Sequence, residues 1–109
     1  MLLTSQLRTR LRRNAGHPSE RDHFPVVKLF IPDANATWLF TELAADQDTL
    51  FGLCDLGHGS PELGYASLAE ISAVRGPLRL AVERDRHFRA EKPLSAYAAD
   101  AQRECRIVA

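Results

Sequence analysis

The sequence predicts an α+β fold: a mainly antiparallel sheet of about five strands, with helices at the N-terminus, after the fourth strand and at the C-terminus. Three observations carry this. Segments rich in β-branched and aromatic residues meander in direct succession from Pro25 to Asp55, which favours an antiparallel sheet over βαβ units. Helical periodicity or alanine enrichment marks the two ends of the chain. At 109 residues, 45% hydrophobic and 26% charged, there is material for one modest core, so residues 1–109 are expected to form a single α+β domain.

Thr4 or Ser5 caps a first helix that runs to about Asn14, with Leu3, Leu7 and Leu11 at i, i+4, i+8 and Gly16 ending it. Arg12 and Arg13 stand near its C-terminal end, where the helix dipole favours cations. The polar stretch from Gly16 to Phe24 reads as a mobile connector, with His17 and His23 as exposed loop residues rather than ligands. Pro25–Ile31 is a strand with prolines at both edges, and Lys28 within it implies a partly solvated face. After the turn at Pro32–Ala36, Thr37–Leu43 forms the second strand of a hairpin. Trp38 and Phe40 share one side, Thr37, Leu39 and Thr41 the other.

Thr49–Asp55 is the third strand. The loop Gly57-His58-Gly59-Ser60-Pro61 leads to Glu62–Ala66, the fourth. Ser67 and Glu70 have capping-box spacing for a short helix through about Val74, which Gly76-Pro77 stops. Leu78–Glu83 alternates apolar and mostly polar residues, the pattern of a fifth strand with a wet face. Arg84–Lys92 is a charged loop, and Ser95 caps a last helix from Ala96 to about Glu104.

The net charge is zero but unevenly spread. Through Lys28 there are six basic residues against Glu20 and Asp22, while the remainder carries eight basic and twelve acidic residues. No dense Lys/Arg tract is present, so the arginines of the first helix read as a solvated face. No apolar run approaches the ~20 residues of a membrane span, and Met1-Leu2-Leu3 passes at once into polar and basic residues rather than a signal-peptide core. A cytoplasmic protein without membrane contact is expected. Cys54 and Cys105 lack C-x-x-C spacing, and Cys54 in its apolar strand reads as a buried thiol.

Chemistry-bearing residues gather in two places. Asp55, His58, Glu62 and Tyr65 surround the glycine-rich loop. Zinc accepts such side chains, but the spacing matches no strong metal motif, and a structural loop in which Asp55 and Ser60 bond backbone N–H groups competes with that reading. Ser60 with His58 and Asp55 or Glu62 nominally supplies a hydrolytic set, yet Pro61 after the serine breaks the G-x-S-x-G elbow. Gly57-x-Gly59 completes neither phosphate-binding glycine motif. No catalytic residue, metal ligand or cofactor is therefore assigned. The second cluster is Arg84, Arg86, His87, Arg89 and Lys92, with Phe88 interleaved. It fits phosphate contacts with base stacking, a protein-contact surface, or a solvated loop whose Phe88 tucks under the last helix.

Leu2-Leu3-Thr4, Pro25-Val26-Val27-Lys28-Leu29-Phe30 with Asp33 and Thr37-Trp38-Leu39, Phe51-Gly52-Leu53-Cys54-Asp55-Leu56-Gly57, Pro61-Glu62-Leu63-Gly64-Tyr65 and Lys92-Pro93-Leu94-Ser95-Ala96-Tyr97 together resemble a bacterial family, domain of unknown function 2958. The resemblance covers nearly the whole chain. It implies a small protein of the kind often encoded on plasmids and integrated mobile elements, and it carries no catalytic residue with it. The resulting expectation is a non-enzymatic accessory protein of a mobile genetic element. It would contact a protein or nucleic-acid partner through Asp55, His58, Glu62, Tyr65, Arg84, Arg86, His87, Arg89 and Lys92. The alternatives are a small enzyme, metal-dependent or otherwise, centred on Asp55, His58 and Glu62, and a homo-oligomeric regulatory or assembly protein.

Overall fold

The computed structural model describes residues 2–16 and 22–109. The expected connector falls largely on residues 17–21, His17 included, and so lies outside the described residues. Eight elements follow in the order α1 (Ser5–Ala15), β1 (Val27–Phe30), β2 (Thr37–Leu43), β3 (Thr49–Asp55), β4 (Glu62–Ser67), α2 (Leu68–Ala73), β5 (Glu83–Arg84) and α3 (Leu94–Glu104). The strands form one antiparallel sheet in the order β4-β3-β2-β1-β5, the α+β architecture that the succession of short strands predicts. Among the described residues, no helix is long and apolar enough to cross a membrane.

Side-chain alternation divides the interior between the two faces of the sheet. On one face, Val27 and Leu29 pair with Phe40 and Trp38. These residues join Leu3, Leu11, Leu43, Leu50, Leu68 and Ile71 in the larger core, beneath α1 and α2. On the other face, Leu39 and Leu53 meet Leu94, Tyr97 and Ala101 of α3, together with Ile107 beyond it. A β-bulge between Phe40 and Glu42 keeps the larger core continuous. Thr41 is the extra residue, so Leu43 returns to the side of Trp38 and Phe40 instead of the opposite one. The bulged residue is buried, and its polar groups are used: its hydroxyl donates to the Phe51 carbonyl at 3.3 Å, and its carbonyl accepts from Asn14 at 2.9 Å.

The helix ends show why these segments are helical. In α1 the Thr4 hydroxyl accepts from the Leu7 N–H, and the Gly16 N–H reaches back to the Arg12 and Arg13 carbonyls. Arg12 then donates to the Leu43 carbonyl at 3.0 Å, tying the helix to β2. In α2 the Ser67 hydroxyl accepts from the Glu70 N–H. Asp48 adds a second cap, its carboxylate taking the Ala69 N–H at 2.9 Å and the Ser67 hydroxyl at 2.8 Å. These orphan donors of the first turn are thereby satisfied.

Four expectations need correction. The fifth strand is Glu83–Arg84, not Leu78–Glu83. Alternation makes a strand only where a neighbour supplies a ladder, and β1 offers just Leu29 and Phe30. Upstream, Arg79 has φ 64° and its N–H bonds the Gly76 carbonyl, closing a turn that leaves Leu78 and Leu80 in solvent. Asp33 holds that turn by accepting from the Leu78 N–H, and any Cβ at Gly76 would collide with its carboxylate. Second, α3 begins at Leu94, so Ser95 lies in its first turn. Both its N–H and its hydroxyl are bound by the Asp22 carboxylate, which reaches in from outside the helix. Third, His23 is half-buried rather than exposed, its carbonyl accepting from the Leu94 N–H at 2.9 Å. Fourth, Cys54 is half-buried rather than fully enclosed, although burial still pushes its thiol pKa up.

Candidate functional site

A groove of about 1120 Å³ opens at one end of the sheet. Its walls are the β1–β2 turn from Ile31 to Ala36, the end of β3 with Gly57 and Gly59, the segment from Glu83 to His87, and the stretch Cys105–Ile107 after α3. Lys28 and Phe30 of β1 also line it. Four segments separated in sequence thus form one concave surface.

Asp55 fastens two of those walls together. It is 3% exposed, and each carboxylate oxygen accepts a backbone N–H: Gly57 at 2.9 Å and Ile107 at 3.0 Å. The first bond shapes the start of the glycine loop. Gly57 has φ 83°, a conformation that favours glycine, and a Cβ there would lie a tight 3.2 Å from the Asn35 side chain. The second bond holds the C-terminal stretch in place after Cys105, which turns the chain out of α3 with φ 59°. Through these two bonds Asp55 serves the architecture of the groove.

On the opposite wall, Asp85 organises the loop after β5. Its N–H donates to the Lys28 carbonyl, and its carboxylate accepts from the His87 N–H, both at 2.9 Å. Lys28 lies 3.7 Å from that carboxylate and donates to the Ala109 carbonyl at 2.9 Å, which secures the far end of the C-terminal stretch. Arg84 donates to the Leu2 carbonyl. Arg86 and Arg106 are exposed on the groove and have no hydrogen bond or ion pair among the described residues. The result is a partly apolar floor from Phe30, Ile31, Ala36 and Ile107, flanked by two guanidinium groups with open donors and by Glu83.

The structure separates the residues of both sequence clusters. Asp55, Arg84, Arg86 and His87 line the groove. His58 and Glu62 are exposed and stand outside it, and Tyr65 projects from β4, 75% exposed. Arg89 is exposed elsewhere. Lys92 turns to α3, pairing with Asp100 and lying 4.7 Å from the centre of the Tyr97 ring. Phe88 packs into the smaller core, its ring centroid 6.3 Å from that of Tyr97. Among the described residues, no three His, Cys, Asp or Glu side chains are grouped as a metal site would require. Lys28, Asn35, Cys105, Arg106 and Ile107 were not signalled as site residues by any motif. Lys28 alone left a trace, as a charge inside an apolar strand.

One antiparallel sheet between helical layers, with an open groove at its end, defines a small α+β protein. The chain belongs to the family described as protein of unknown function (DUF2958), whose model matches residues 2–108. No curated protein and no solved structure matches it.

Proposed function

We propose that the protein is a non-enzymatic binding protein, a cytoplasmic accessory of a mobile genetic element, and that it holds an extended segment of a partner polypeptide in the groove. The observation that carries this is the lining itself. Arg86 and Arg106 offer guanidinium donors that are unclaimed among the described residues and suited to carboxylates, and Phe30, Ile31 and Ile107 supply apolar contact in the same groove. The expected mobile-element context makes a host or element protein the partner.

The nucleic-acid reading fits this lining less well. Phe88, the aromatic ring that would stack on a base, is packed against Tyr97, and Glu83 and Asp85 dilute the positive charge. The enzyme reading is supported less, since both Asp55 oxygens accept backbone N–H groups that hold the walls of the groove. The experiment is affinity capture from the host, followed by titration of the purified captured protein. Binding that Arg86→Glu and Arg106→Glu weaken supports the reading. Steeply salt-dependent binding of single- or double-stranded DNA with no protein partner would overturn it.

A further inference from the structure

At the other end of the sheet order, β4 has no strand along its outer side among the described residues. Among the described residues, none of its backbone groups bonds outside the ladder with β3. Edges of this kind are normally blunted by lysine, proline, a bulge or an inward-pointing charge. From Leu63 to Ser67, β4 has none of these, and its ladder with β3 runs without a register shift.

The face that β4 shares with α3 is apolar and uncovered. Leu63 is 50% and Tyr65 75% exposed, and the Tyr65 ring lies 5.1 Å from that of half-buried Phe51. Between Leu63 and Tyr65, Gly64 points to the opposite face, where an added Cβ would meet nothing. That side of the strand is open too, so neither face of β4 at Gly64 obstructs a neighbour.

We propose that β4 is the interface of a two-fold homodimer, in which the β4 strands of two copies pair antiparallel about Gly64 and extend the sheet across both subunits. A two-fold axis normal to a sheet keeps every residue on its own face, so residues paired across it must share parity. Centring on Gly64 sets Leu63 beside the partner's Tyr65 and Tyr65 beside the partner's Leu63, which merges the two apolar patches. Centring on Tyr65 would set Leu63 against the partner's Ser67, and centring on Leu63 would set Pro61 against the partner's Tyr65. The pattern Leu63-Gly64-Tyr65 is thus its own complement, which selects a second copy over a foreign strand. A contact made through one strand edge is small against the ~1,000 Å² that specific association usually clears, so a reversible dimer is expected. This interface lies away from the groove and stands independently of it.

Sedimentation equilibrium of the full chain should give a monomer–dimer equilibrium in the micromolar range. Tyr65→Lys should weaken it by roughly 10-fold or more while the circular dichroism spectrum is retained, because an edge lysine opposes strand pairing. In a Cys54→Ala, Cys105→Ala background, Gly64→Cys should form a disulfide-linked dimer under mild oxidation. Paired strands bring such Cα atoms to about 4.5–5.5 Å, within disulfide reach. Ala66→Cys, displaced along the strand from the axis, should not. A wild-type protein that stays monomeric at millimolar concentration overturns the proposal. So does a dimer that survives Tyr65→Lys, or one that Ala66→Cys cross-links and Gly64→Cys does not.

Discussion

At the β5 edge the sheet ends in two residues, Glu83 and Arg84, followed by a loop fastened to Lys28 through Asp85. At the β4 edge it ends in six residues that carry exposed Leu63 and Tyr65 and bear no charge after Glu62. The first edge is too short and too charged to recruit another strand, and its side chains border a groove instead. The second leaves its backbone open and its side chains apolar. One sheet thus presents two surfaces of different chemistry, the first suited to a partner's side chains and the second to a strand.

The change with the largest expected effect removes the support of the first edge alone. Asp55→Ala would leave the buried Ile107 N–H without an acceptor and release the exposed Gly57 N–H from the loop it shapes, costing about 2–3 kcal/mol. Chemical denaturation should show that loss, and hydrogen exchange should show the Ile107 amide exposed. The β4 dimer of the folded fraction should persist. Next, Tyr65→Lys should separate the edges in the opposite sense, dissociating the dimer by roughly 10-fold or more while leaving groove binding intact. Arg86→Glu should weaken the groove partner by on the order of 1–3 kcal/mol, the range of charge-assisted hydrogen bonds. It should change neither thermal stability nor self-association, because the side chain has no polar partner among the described residues.

The smallest effect concerns the turn that starts β3. Hydrogen bonds from the Thr49 hydroxyl, the Thr49 N–H and the Asp48 N–H hold the Asp46 carboxyl at about 2, down from 3.8. Since folding lowers this pKa, the stabilisation is present above pH 3.8 and is lost as the pH falls towards 2. Urea midpoints of wild type and Asp46→Asn should therefore differ at neutral pH and converge across that window. The site is exposed, so the difference should be small.

The fold was legible where local chemistry and tertiary pairing agree. Thr37–Leu43 and Thr49–Asp55 are strands over the expected residues, and Thr4, Gly16 and Ser67 occupy the expected caps. Phe88 meets α3 as one of its sequence readings held. Legibility failed where a distant carboxylate decides the local structure. Asp33 captures the Leu78 N–H and replaces a strand with a turn, and Asp22 binds Ser95 from outside α3. The groove was half visible for the same reason. Asp55 stood out among the glycines, but its partner is the N–H of Ile107, a main-chain group with no side-chain signature. Proximity along the chain also misled: His58, Glu62 and Tyr65 neighbour Asp55 in sequence but do not line the groove.

The most direct test is a titration of the purified groove partner against three forms of the full chain: wild type, Arg86→Glu with Arg106→Glu, and Tyr65→Lys. Two guanidinium contacts predict a loss of at least roughly 10-fold for the arginine variant, with the Tyr65→Lys variant binding as wild type does. Equal binding by all three forms, or a loss confined to Tyr65→Lys, would contradict the assignment of the groove as the partner site.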